Sequence, residues 1–269
     1  MPDAPTGDRP DWGTAFRSIA DDWLFADVDG PLPAEAVLPL ENPDLYDSGV
    51  WDKHLKIEER YRTVSIGVYA GRRIAVLNAK LGAPAAAMAI QAAAGRGVRS
   101  LVGVGYCGAV ADDLRCGDLL VPTGAVSADG TSAALCPGRY PAVADHQLVR
   151  ALHDTAPGTL RDGLVHTLDA VYTQDSALVE ECRRTGVSGI DMETAAVLTA
   201  ARLSGMRAAT LLVASDHPGL GLPTDGALIG AGFDRAMGLA LEALTAGNVR
   251  QDLSSNSRPP RGVRATTGS

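Results

Sequence analysis

Three short stretches hold the residue types that chemistry needs. Gly189-Ile190-Asp191-Met192-Glu193-Thr194-Ala195-Ala196 places two carboxylates at the head of an apolar run. Ser215-Asp216-His217 follows the apolar run 207–214. Gly103-Val104-Gly105-Tyr106-Cys107-Gly108 is a glycine-rich segment after a third apolar run. A carboxylate at the end of a buried strand can donate or take a proton in a cleft. Glycines at a strand end let a backbone approach a ligand closely. Plainer roles fit the same residues. Acids in a first helical turn commonly cap it, Asp216 can cap the loop after it, and the glycine run can be a tight turn.

The elements that must position these groups alternate along the chain. Residues 73–79, 100–104, 118–126, 164–171 and 207–214 read as strands. Residues 84–96, 143–155, 175–185, 191–204 and 233–246 read as helices. Pro84 stands in the first turn of its helix. The 191–204 helix is apolar around most of its circumference, which predicts burial. Such alternation argues for an α/β fold with a mixed, mainly parallel sheet and helices on both faces. Sites in these sheets gather at the carboxyl ends of strands, where the 105–108 glycines and Asp216 fall. Residues 1–12 and 247–269 lack apolar periodicity and read as disordered tails around one domain, 13–246.

Composition excludes several partner classes. The chain has 269 residues and a formal net charge of −8, and aromatics make up only 4% of it. An acidic, ring-poor chain is a poor nucleic-acid binder. No apolar run is long enough to span a membrane, and the N-terminus lacks a signal peptide's apolar core, so a cytoplasmic protein is expected. The cysteines form no C-x-x-C pair, and no cluster has metal-ligand spacing. Neither a metal nor a cofactor is expected.

Together, the segments VYAGRRIAVLNAKLGAPAAAMAI, GVGYCGAVADDLRCGDLLVPTGAV, GVSGIDMETAAVL and LLVASDH resemble the nucleoside phosphorylase and nucleosidase superfamily. The similarity is strongest to hexameric purine nucleoside phosphorylases and to uridine phosphorylases. It implies a three-layer α/β/α domain around a distorted, partly closed sheet, assembled as a homo-oligomer, either a dimer or a trimer of dimers. It also implies a small-molecule nucleoside as the partner. On this resemblance Glu193 binds the ribose hydroxyls, Met192 packs beneath the sugar and Asp216 protonates N7 of a purine leaving group. Tyr172 falls where the family sets a ring against base and sugar. Cys107, Gly108, Ser215 and Tyr106 line the substrate site.

The resemblance weakens at the family's phosphate pocket. There the family has a P-G-D-P-x-R loop, an arginine before the V-G-S-C-G turn and a hydroxyl within it. This chain has Glu41 for the glycine, Leu45 and Gly103 for the two arginines, and Tyr106 for the hydroxyl residue. Phosphate binding depends on charge-assisted hydrogen bonds, chiefly from arginine, and a carboxylate repels the anion. The expectation from residue types is therefore hydrolysis, with Glu41 activating water, as in the family's nucleosidases. The alternatives are phosphorolysis with unusual ligands and a non-catalytic nucleoside-binding module. Arg60 or Arg62 from a neighbouring subunit, or Lys80, would then supply the cation.

Overall fold

A computed structural model describes residues 23–41, 53–137, 140–217 and 224–246. The expected tails at 1–12 and 247–269, and the 42–45 loop, lie outside the described residues.

The apolar stretch before Glu41 forms β1 (Glu35–Leu40), nearly all of it buried. Two short strands, β2 (Lys56–Arg60) and β3 (Val64–Tyr69), lead to β4 (Arg72–Leu77). Helix α1 (Ala83–Gly95) then begins with Pro84 in its first turn, as the sequence predicts. Next come β5 (Ser100–Ala109), β6 (Leu119–Ser127), α2 (Gly130–Leu135), β7 (Ala142–Val143), α3 (His146–Thr155) and β8 (Arg161–Thr167). The chain closes with α4 (Ser176–Arg184), β9 (Val187–Asp191), α5 (Thr194–Leu203), β10 (Arg207–Asp216) and α6 (Gly226–Thr245).

The strands form one mixed sheet in the order β10-β6-β8-β9-β5-β1-β4-β3-β2, with β10 also pairing β5. That extra pairing closes β10, β6, β8, β9 and β5 into a ring. The strands β1, β4, β3 and β2 extend from it as an open wing. Within this frame β5 is parallel to β1 and β10 and antiparallel to β9. Helices α1, α2 and α5 pack together on one side, and α3 with α6 on the other. The α/β architecture, with its mixed and partly closed sheet, is the one the resemblance implies. Helix α5 is buried from Thr194 to Ala201, so the all-round apolar pattern was a sound signal of burial.

Two local expectations change. The 105–108 segment is no turn: β5 runs straight through it to Ala109. Gly105 is there for close packing, since a Cβ on it would stand 2.8 Å from the Leu40 Cβ. Asp191 is not helical either. It ends β9, a five-residue strand whose short length and glycine hid it from periodicity.

Candidate active site

Strand β5 is the site's axis. Its register sets Leu40 of β1 opposite Gly105, and both Asp216 of β10 and Ile190 of β9 opposite Gly108. Glu41, Asp216 and the turn leading to Glu193 therefore gather at the carboxyl end of one strand.

The two acids after Gly189 divide their labour. Asp191 is the structural one. Its Oδ2 accepts from the Thr194 amide at 2.8 Å, and its Oδ1 accepts from the Thr167 hydroxyl at 2.5 Å. The Thr167 hydroxyl oxygen in turn accepts from the Ala195 amide at 3.0 Å. This lattice pins the start of α5 to β8. Its importance was not legible in the sequence, because Thr167 lies 24 residues away. Burial raises the Asp191 carboxyl above the usual carboxylate range, opposed by its hydrogen bonds. Glu193 occupies the N-cap position of α5 but makes no cap bond there. Its Oε1 instead accepts from the Gly82 amide at 2.7 Å, at the entry to α1. Gly82 has φ +103°, a conformation that side-chain-bearing residues rarely adopt. Burial first, and the nearby Asp191 second, push Glu193 up to about 8.

Asp216 ends β10 beside a β-bulge in which Ser215 is the extra residue. Bulges of this kind re-aim side chains. The Ser215 hydroxyl lies 2.6 Å from Asp216 Oδ1 and 3.2 Å from the Cys107 carbonyl oxygen, so it ties the acid to β5. His217 is buried, with Nε2 3.1 Å from the Ala111 carbonyl oxygen.

Glu41 is buried one residue beyond β1. The Tyr106 hydroxyl donates to its Oε2 at 3.1 Å, and the Tyr106 ring stacks on Phe233 with centroids 5.1 Å apart. Burial pushes Glu41 up to about 7, and the Tyr106 bond works against that rise. The position of Gly103 is closed: a Cβ there would meet Thr210 Cγ2 at 3.0 Å and Leu40 Cδ1 at 3.1 Å. Lys80 is exposed in the β4–α1 loop at φ +70°, in the left-handed region that favours glycine.

Other expected site residues stand apart. The Cys107 side chain is packed in the core, and burial pushes its thiol far up. Gly108 lies in β5 between β9 and β10. Met192 is half-buried beside Glu193 and lines a hollow with Gly82. The Tyr172 ring is 101% exposed and stacks on no described ring. Arg60 ends the edge strand β2, third from β1 in the sheet. Arg62 donates through its amide to Asp27 at 2.9 Å and through its guanidinium to the Trp23 carbonyl.

Residues 32–246 match the model of the family described as the phosphorylase superfamily. The chain belongs to this superfamily. It is 31% identical over 156 residues to a DeoD-type purine nucleoside phosphorylase of Shewanella baltica, 56% of this chain and 66% of that protein. A second DeoD-type enzyme, from Vibrio cholerae, is 30% identical over the same span. The match thus spans just under two thirds of these curated relatives. Among solved structures, uridine phosphorylase of Vibrio fischeri is 26% identical, covers 80% of this chain and 93% of its own, and superposes with a TM-score of 0.72. Purine nucleoside phosphorylase of Toxoplasma gondii shares the fold at 21% identity and a TM-score of 0.71.

These relatives correct the expectation of hydrolysis, since every one of them is a phosphorylase. The physical source of the error is Glu41. Counting residue types makes it a full negative charge that would repel phosphate. Buried, with a carboxyl near 7, it is about half neutral at neutral pH and largely neutral below it, and so repels an anion less than a full charge would. Among the described residues, no helix is long and apolar enough to cross a membrane.

Proposed function

We propose that this chain cleaves the N-glycosidic bond of purine nucleosides by phosphorolysis. Phosphate attacks C1′ of the sugar, the bond to the base breaks, and the base leaves with a proton from Asp216. The products are a free purine and a sugar 1-phosphate. One observation supports the reading most: Asp216, the turn from β9 that leads to Glu193, and the Glu41–Tyr106 pair all adjoin the carboxyl half of β5.

Each group has a physical task. Glu193, fixed through one oxygen by Gly82, offers its other oxygen to the ribose hydroxyls. As the bond breaks, the sugar gains positive character, and Glu193 stabilises that charge in its ionised form, whose share grows as pH rises through about 8. Asp216 makes the base a better leaving group, which favours a purine with a basic N7. Met192 packs below the sugar, and the exposed Tyr172 is available to cover the ligand.

Phosphate sits between the Glu41–Tyr106 pair and the sugar. In its neutral form Glu41 can donate a hydrogen bond to the anion. Lys80 is the nearest cation by sequence to Gly82, and its left-handed backbone costs about 1–2 kcal/mol in an L-residue. Strain of this kind gathers at functional sites. Arg60, at the sheet edge, is placed to serve a neighbouring copy in a homo-oligomer, with Arg62 beside it. The test is purine release from inosine and adenosine with and without phosphate. Phosphate-dependent turnover with sugar 1-phosphate as product supports the proposal. Turnover independent of phosphate rejects it.

A further inference from the structure

The segment that carries Asp216 is tied residue by residue to the stretch that ends β5 and leads to β6. The Gly117 amide donates to the Ala214 carbonyl oxygen at 2.9 Å, and the Ala214 amide donates to the Asp118 carbonyl oxygen at 2.9 Å. The Cys116 thiol lies 3.5 Å from the Ser215 carbonyl oxygen and 3.7 Å from that of Asp225, the N-cap of α6. Asp216 pairs with Gly108, and His217 Nε2 lies 3.1 Å from the Ala111 carbonyl oxygen. The acid thus stands on a frame held at every residue from Ala214 to His217.

On that frame the Ser215 hydroxyl has one proton to donate and two acceptors within reach. Asp216 Oδ1 is at 2.6 Å and the Cys107 carbonyl oxygen at 3.2 Å. The shorter contact has the length of a hydroxyl bonded to a carboxylate. Among the described residues, Ser215 is the one side chain that bonds the Asp216 carboxyl, which leaves Oδ2 for a ligand. When Asp216 is ionised, Ser215 donates to Oδ1. When Asp216 holds a proton on Oδ2, Oδ1 still accepts from Ser215. A proton on Oδ1 turns instead toward Ser215 and sends the hydroxyl's own proton to Cys107, away from a base at Oδ2. A purine N7 beside Oδ2 is an acceptor, and it selects the arrangement with the proton on Oδ2.

We propose that Ser215 is a positioning residue for the departure of the base: by occupying Oδ1 it keeps the acidic proton of Asp216 on Oδ2, facing N7, while Cys116 braces the bulge. This rests on the phosphorolysis reading for the reaction it serves. In that step the Oδ2–H bond breaks and an N7–H bond forms. The electron pair of the O–H bond stays on Oδ2. The pair of the C1′–N9 bond goes to the base, and a phosphate oxygen supplies the pair for the new C1′–O bond. The charge that appears on the Asp216 carboxylate is met by the Ser215 proton, whose bond strengthens as the charge forms.

The test measures kcat and KM of the full chain at saturating phosphate with inosine and with 7-methylinosine, whose base leaves without a new proton at N7. In Ser215→Ala, kcat for inosine should fall about tenfold, with KM and the 7-methylinosine rate within about twofold of the parent. Ser215→Thr keeps the hydroxyl and should restore most of the inosine rate. Cys116→Ala should repeat the pattern with a loss of about two- to threefold, the size of one weak hydrogen bond. Inosine turnover unchanged in Ser215→Ala, or an equal loss on both substrates, overturns the proposal, and parent rates in Cys116→Ala overturn the brace. If the parent turns over neither nucleoside in a phosphate-dependent way, the phosphorolysis reading falls by itself. A crystal structure of Ser215→Ala then decides the positioning role: a rotated Asp216 carboxyl upholds it, and an unmoved one overturns it.

Discussion

Tyr106 donates a hydrogen bond to Glu41 over 3.1 Å, bridging β5 and the end of β1 at the proposed phosphate site. The bond favours the carboxylate, while burial favours the neutral acid and prevails, leaving Glu41 near 7. The KM for phosphate, compared at fixed dianion concentration, should therefore rise as pH passes upward through about 7. Tyr106→Phe removes the bond and moves that midpoint higher. Glu41→Gln should flatten the profile, and a profile unchanged in that variant would remove Glu41 from the phosphate site.

The same group sets a stability trend. Its folded value lies above the ordinary 4.5, so the folded state holds the proton more tightly than the unfolded state does. No penalty exists well below 4.5. It grows as the unfolded carboxyl ionises, and it is complete above about 7. Glu41→Gln should thus raise Tm at pH 8 relative to the parent and change it little at pH 4, as read by thermal denaturation.

Glu193→Gln keeps an oxygen for the Gly82 amide, so the fold should persist with unchanged circular dichroism. Loss of the ionisable group opposite the developing sugar cation should lower kcat/KM by about 10²–10³-fold above pH 8, where Glu193 is ionised, and by less below it. Near-normal turnover would exclude Glu193 as the sugar anchor.

Asp216→Asn should slow ordinary purine nucleosides by about 10²–10⁴-fold. A 7-methylpurine nucleoside carries its positive charge already and needs no proton at N7. Its rate in Asp216→Asn should stay close to that of the parent. An equal loss on both substrates would mean that Asp216 shapes the pocket rather than donating a proton.

Lys80→Gly separates strain from charge. Relief of the left-handed backbone is offset by greater freedom in the unfolded chain, so stability should hold or rise by up to about 1 kcal/mol. The KM for phosphate should rise about tenfold, with Lys80→Arg keeping most of the affinity. A normal phosphate KM in Lys80→Gly would remove the lysine from the site.

The strands and helices that carry the site were legible because their apolar runs are long: α5 declares its burial through alanines on every side, and β10 through its run into Ser215. What stayed hidden depends on partners distant in sequence. Gly105 reads as a turn residue until Leu40 is seen against it. Asp191 and Glu193 are two residues apart and look alike, yet one braces a helix start through Thr167 and the other reaches Gly82. The ionisation of Glu41 is set by burial, and no count of residue types contains it. The relatives reversed the reading of the reaction, and this property shows why residue types alone misled.

Gly108 is paired on one side with Asp216 and on the other with Ile190, three residues short of Glu193. On the proposed roles, recognition of base and of sugar reaches β5 from opposite flanks, on strands that do not exchange hydrogen bonds with each other at this point. The consequence is modularity. If the proposed roles hold, a change at the end of β10 should alter the choice of nucleobase while leaving the grip on the pentose intact, and a change after β9 should do the reverse.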